Sequence, residues 1–193
     1  MTHESLFMSS TARLSFATPI RAAAVAFAVV FTAVSAQFTL PMPFTDVPFS
    51  LVPMAVLLSG AVLGSRLGAA AQALYLLVGA AGLHVFAPDP RLPAGALRLV
   101  GPTGGYLLAY PLAAFVAGWL SERGWDRRYL TSVAALAAGL AVIYAGGLSW
   151  RVMLLGSLET AVMTSVVPFL LPDVFKIAVA GLLLPRAWRA MGR

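Results

Sequence analysis

Asp173 and Lys176 are the residues of this sequence best placed to do chemistry. Lys176 is the sole lysine among 193 residues, and both lie in or beside the last apolar run. Ionisable side chains inside apolar runs of this kind are costly, turn inward and usually mark function. Three residues apart, the two share one face of a helix. One reading is an ion pair that only orients its helix. Another makes Asp173 a first-turn acid that complements the helix dipole after Pro172. The functional reading is a polar anchor for a buried ligand, because a carboxylate accepts from ligand N–H groups and an ammonium meets a carbonyl or an anion.

A second candidate is Gly101-Pro-Thr103-Gly104-Gly105-Tyr106, at the start of an apolar run. Glycines there let backbone approach a ligand, and helix-start N–H groups can take an acceptor. The same residues also read as a turn and a helix start. Arg91 and Arg98 lie just before it, where either could meet a carboxylate bidentately or simply snorkel to the interface. Glu159 could line a cavity or face water, and His84 at the end of a run reads as a packing residue.

Several chemistries are excluded. The chain has no cysteine and two histidines, so thiol nucleophiles, disulfides and His-rich metal sites are out. Asp46, Asp89, Glu159 and Asp173 are scattered and form no carboxylate metal site. There is no G-x-x-x-x-G-K-[ST], no H-E-x-x-H and no G-x-S-x-G. An enzyme is therefore not expected, nor a metal, nor a cofactor.

The elements that position these residues are membrane spans. The chain is 60% hydrophobic and 10% charged, with a mean hydropathy of +0.89. A soluble domain is about 25% charged, and one of this size has too little interior to hide so much apolar surface. A helix crosses the hydrocarbon core with about 20 apolar residues. Such runs fall at Ile20–Leu40, Val47–Leu63, Leu67–Leu83, Gly105–Leu120 and Leu130–Leu148. The second carries Pro48 and Pro53, which predict an irregular first turn. Arg151–Val167 reads as a helix of mixed polarity. After breaks at Pro168 and Pro172, Asp173–Leu184 reads as a short final span that starts inside the membrane.

The fold class expected is all-α integral membrane with about six transmembrane helices. The division expected is a tail at 1–19, one membrane domain at 20–185 and a basic tail at 186–193. The arginines set the orientation. Arg13, Arg21, Arg66, Arg123, Arg127, Arg128, Arg186, Arg189 and Arg193 fall on one side, against Arg91, Arg98 and Arg151 on the other. By the positive-inside rule both termini are cytoplasmic. The net charge of +6 thus belongs to topology rather than to nucleic-acid binding. Three outer segments, Leu40–Phe49, His84–Tyr106 and Val166–Lys176, are rich in proline, glycine and aromatics. Non-helical backbone at membrane depth needs protein or a water-filled cavity around it, so the three predict a capped, outward-opening pocket.

The ordered segments PMPFTDVPFSL, AVLLSGAVLGSRLGAAAQALYLLVGAAGL, GPTGGYLLAYPLAAFVAG and PFLLPDVFK resemble the BioY family, the biotin-specific substrate-binding subunits (S components) of energy-coupling factor transporters. The likeness runs from about Gln37 to Leu184. It implies an S-component fold in the cell membrane that binds biotin. It also implies a transmembrane coupling protein and ATPase subunits as partners, since ATP can act only through them. The family's Asp-x-x-Lys pair maps onto Asp173 and Lys176, and its glycine-rich motif onto Gly101 to Tyr106. From this follows an expected site. Asp173 accepts a ureido N–H, Lys176 supports the polar end, and Thr103, Gly104, Gly105 and Tyr106 line the pocket. Arg98 is a candidate for the carboxylate, and Phe44, Phe49 and Tyr75 are candidates for apolar walls. The coupling face of small residues falls at Ala22/Ala26 or Ala24/Ala28, whose small-xxx-small spacing lets another helix approach closely. The family commonly has proline where Asp46 stands. The alternative function is a self-sufficient carrier of biotin or a related carboxylate, oligomeric or proton-coupled, with Asp173, Lys176 and Glu159 as a thin relay.

Overall fold

In a computed structural model, residues 4–43, 45–89 and 92–190 are described. Phe44 and Arg91, both candidates above, lie outside them. The chain forms α1 (Glu4–Gln37), a two-stranded antiparallel hairpin of β1 (Thr39–Met42) and β2 (Thr45–Ser50), α2 (Val52–Leu63) and α3 (Ser65–Ala80). These are followed by α4 (Leu97–Val100), α5 (Gly104–Ser121), a 3-10 turn (Trp125–Arg127), α6 (Tyr129–Leu155), α7 (Leu158–Ser165) and α8 (Val167–Ala190).

Four segments among the described residues are long and apolar enough to cross a membrane: Pro19–Gln37, Gly104–Ser121, Tyr129–Leu155 and Val167–Ala190. Val52–Leu63 is a shorter apolar helix. Large apolar side chains such as Phe27, Leu130 and Leu171 point outward. A helix apolar all round suits lipid, and the chain is a multi-pass membrane protein.

Three expectations need correction. The segment 39–50 is a β-hairpin rather than the end of one span and the start of the next. Its main-chain groups pair across the hairpin, and α2 starts only at Val52, whose N–H donates to Ser50 Oγ at 3.1 Å. Pro53 then falls in the first turn, where a missing N–H costs nothing. The second correction concerns Arg151–Val167. Arg151 lies inside the long α6, which ends at Leu155; the chain turns at Gly156 (φ 68°), and Ser157 Oγ caps α7 by accepting from Thr160 N. The third concerns the last helix, which is not short. α8 runs for 24 residues with Pro172 and Pro185 inside it. The break lies at Val166 (φ −122°, ψ −57°), and Pro168 is tolerated in the first turn. Asp173 is buried because its face of this full-length helix turns toward Tyr144 of α6, not because the helix is truncated.

The helices pack closely through small residues, as expected where lipid supplies no hydrophobic drive between them. Gly60 of α2 is wedged between two neighbours. A Cβ there would strike Ala114 O and lie 2.8 Å from Ala114 Cα on α5, while a Cβ on Gly68 of α3 would lie 2.6 Å from Gly60 Cα. The first helix is held differently. Gln72 on α3 is fully buried and its Nε2 donates to Thr32 Oγ1 on α1 at 3.1 Å, while Thr32 Oγ1 donates to Ala28 O at 2.8 Å. This bond separates the two alanine pairs, because Ala28 is buried against the bundle whereas Ala22 and Ala26 face outward.

The hairpin, the segments 81–89 and 92–103, and α7 gather at one end of the bundle. The α2–α3 turn, the 3-10 turn and the end of α8 gather at the other. There Glu122 Oε1 accepts from Ser65 N at 2.7 Å, and the Arg127 guanidinium lies 4.9 Å from the Trp188 ring centroid.

Candidate functional site

The site begins with the pair on α8. Lys176 Nζ is 2.7 Å from Asp173 Oδ1, and both residues are buried, at 8% and 5% exposure. The second carboxylate oxygen, Oδ2, accepts from Tyr144 OH on α6 at 2.7 Å. Lys176 also donates to Ser50 O at 2.6 Å and lies 3.9 Å above the Phe49 ring centroid. The ammonium therefore joins α8 to the hairpin through a carboxylate, a carbonyl and an aromatic face, and its three donors are largely committed. Asp173 is less committed. A carboxylate offers about four acceptor positions, and Lys176 and Tyr144 occupy two.

These groups open onto a cavity. Tyr75 and Phe86, with Ile143 and Phe169, give it an apolar wall. Tyr75 and Phe86 meet edge to face at 5.3 Å, and Tyr75 OH is anchored to Val85 O at 3.0 Å. Tyr106 lines the cavity and donates to Ser165 O at 2.8 Å, joining α5 to the end of α7. Arg151 braces the same corner, with Nε on Ser165 Oγ at 3.0 Å and Nη1 3.7 Å from Asp46 Oδ2. Asp46 thus has a partner in this corner. An apolar, aromatic cavity with few placed polar groups is the general form of a small-molecule site.

The structure brings Asp173, Lys176, Thr103, Tyr106, Tyr75 and Arg98 together around this cavity. Phe49 reaches it only through its contact with Lys176. Gly104 and Gly105 do not line it. A Cβ on Gly104 would strike Leu99 O, and one on Gly105 would strike Trp150 Cβ and Gly146 O. These glycines seat α5 against α4 and α6, and their service to the site is indirect. Tyr144 and Tyr110 were missed because aromatics inside apolar spans carry no signal in a single sequence, and Phe86 and Phe169 lie in two of the outer segments, where nothing sets them apart from their neighbours. Tyr144 has the clearest role. Tyr144→Phe removes one donor to a charged acceptor, worth about 1.5–3 kcal/mol. Ligand affinity is expected to fall roughly tenfold with the fold intact, read by calorimetry against thermal unfolding.

Arg98 stands at the rim with much of its donor capacity spent. Nε donates to Pro93 O, Nη1 to Ala87 O and Nη2 to Asp89 O, at 3.0, 3.1 and 3.0 Å. It fastens the loop over the cavity, which a planar five-donor fork does well and an ammonium does poorly. Arg98→Lys is expected to speed amide exchange at 84–96 about tenfold, at about 1 kcal/mol per lost bond, without changing exchange in α5 or α6. Equal exchange in both proteins would remove the clamp assignment.

The comparisons with known proteins agree with this architecture. A family model described as the BioY family matches residues 8–193. The probable biotin transporter BioY of Pyrococcus horikoshii is 39% identical over 162 residues, covering 84% of this chain and 92% of that protein. The biotin transporter BioY of Thermotoga maritima is 41% identical over 145 residues, covering 75% and 83%. Among solved structures, the crystal structure of the S component for biotin from an ECF-type ABC transporter superposes with a TM-score of 0.76 at 21% identity, covering 98% of this chain and 95% of that one. At that identity the superposition establishes the fold. With nearly the whole sequence matched by the family model, and relatives aligned over most of their own length, the chain belongs to the BioY family.

Proposed function

We propose that this chain is the biotin-binding membrane subunit of an uptake system, energised by a coupling protein and ATPase subunits that it does not itself contain. The observation that carries the reading is the Asp173 carboxylate, held by Lys176 and Tyr144 inside an aromatic cavity with acceptor positions to spare. Biotin matches it chemically. Its ureido group presents two N–H donors for Asp173, and its fused rings and valeryl chain suit the apolar wall formed by Tyr75, Phe86 and Phe169. The biotin transporters to which the chain is similar support the same ligand.

The membrane arrangement belongs to this reading. Six helices (α1, α2, α3, α5, α6 and α8) cross the bilayer, with residues 20–185 as the membrane domain and 1–19 and 186–193 as cytoplasmic tails. The cavity end then faces outward, and the exposed pair Ala22/Ala26 is the face offered to the coupling protein. Calorimetry on the purified chain with biotin, desthiobiotin and an unrelated vitamin tests the ligand. Saturable heat with biotin and none with the unrelated vitamin is expected. No heat with biotin removes the ligand and leaves the fold.

A further inference from the structure

We propose that the end of the bundle opposite the cavity holds the headgroup of an anionic phospholipid, between the 3-10 turn and the last turns of α8. The first observation is charge. Arg127 ends the 3-10 turn and Arg128 follows it, and Arg186 and Arg189, three apart on α8, share a face beside it. All four are exposed. The two ends are physically joined, because the Arg127 guanidinium lies over the Trp188 ring of α8 at 4.9 Å. The two acids nearby each have a partner, and only one of these partners is an arginine of the site. Asp126 is buried and bound to Arg127 at 3.4 Å, and Glu122 is bound to Ser65. Arg128, Arg186 and Arg189 have no acid partner among the described residues.

The second observation is a track for acyl chains beneath the charges. Phe175, Val179 and Leu182 are 70%, 37% and 42% exposed, and Arg186 continues the series. The spacing i, i+4, i+7, i+11 places all four on one stripe of α8. From Phe175 to Arg186 is about 16 Å at 1.5 Å per residue, roughly half the ~30 Å hydrocarbon core. The stripe therefore has the length of one leaflet and ends in a guanidinium. Leu130 of α6, 77% exposed, and Trp125 and Tyr129 flank the 3-10 turn side, and indole and phenol rings favour headgroup depth. A soluble anion would use the arginines but not the stripe, and an acidic protein would need neither the leaflet length nor the aromatic flank.

Native mass spectrometry of the full chain, released from micelles holding equal amounts of phosphatidylglycerol and phosphatidylcholine, tests this. The parent is expected to retain phosphatidylglycerol by about tenfold or more. Each arginine removed is expected to cost about fivefold, so Arg128→Gln with Arg186→Gln abolishes the preference while thermal unfolding is unchanged. Arg66→Gln, at the same end but on α3, is expected to keep it within about twofold of the parent, because the site is local. Excess inorganic phosphate is expected to displace nothing. Equal retention of both lipids by the parent overturns the proposal and leaves the face to an acidic protein. Displacement by phosphate overturns it in favour of a soluble anion. A loss with Arg66→Gln as large as with the double variant overturns it in favour of diffuse charge.

Discussion

Asp173→Asn is expected to lower biotin affinity about 100-fold, the largest functional effect of any single substitution in this chain. Asparagine keeps the shape and one acceptor for Lys176 but loses the charge. A hydrogen bond to a charged group is worth about 1.5–3 kcal/mol, and the carboxylate has room for two ligand N–H groups. The same change leaves the Lys176 ammonium buried without its counter-charge. Breaking a buried pair by removing one partner costs about 3–5 kcal/mol, so stability falls too. The two effects separate in the double variant. Asp173→Asn with Lys176→Met removes the stranded charge, and stability is expected to recover while binding does not. Calorimetry and thermal unfolding on the parent, Asp173→Asn, Lys176→Met and the double variant complete the comparison. Wild-type affinity in Asp173→Asn would show that the carboxylate does not touch the ligand.

Gly60→Val is expected to give the largest structural effect, with no folded, monodisperse protein recovered. The added Cβ meets the main chain of Ala114, and α2 has little room to retreat, since a Cβ on Gly68 would itself lie 2.6 Å from Gly60 Cα. Main chain cannot rotate out of the way as a flexible side chain can. Overpacking a well-filled core typically costs about 1–3 kcal/mol, and a branched residue adds two more atoms to the same gap. Gly60→Ala grades the effect and is expected to lower the unfolding midpoint by ~3–10 °C, at about 2–4 °C per kcal/mol for a chain of this size. Val62→Leu, two residues on but facing outward, is the control and is expected to change little. An unchanged midpoint in Gly60→Ala would mean that the α2–α5 contact is slack.

The two charged residues of the site were legible because an acid and the sole lysine inside an apolar run are too costly to be incidental. Their shared face followed from spacing alone. Tyr144 was not legible, because nothing in a span such as SVAALAAGLAVIYAGGL tells whether its one aromatic turns inward. The glycines of 104–105 were found but misassigned. A close approach of backbone to something is visible in the sequence, whereas the identity of that neighbour, here Trp150 and Leu99, depends on tertiary packing. The prolines misled in another way. Pro168 and Pro172 read as breaks, yet one falls in a first turn and the other is carried inside α8, as transmembrane helices tolerate when neighbours satisfy the freed carbonyl. The hairpin was hidden because its short strands, TLPM and TDVPFS, hold prolines and do not alternate strictly.

The Thr32–Gln72 bond bears on the order in which the bundle comes together. Thr32 can enter lipid by itself, since its hydroxyl is satisfied by Ala28 O on its own helix. Gln72 bonds across to α1 through Nε2, and in the six-helix arrangement proposed above its amide, unpaired in hydrocarbon, would cost several kcal/mol. The earlier helix can thus wait in the bilayer at no penalty, while the later one is uncomfortable until it finds the waiting hydroxyl. Biogenesis gains a direction from this asymmetry: α1 acts as a standing berth, and α3 is driven to dock against it in a single register.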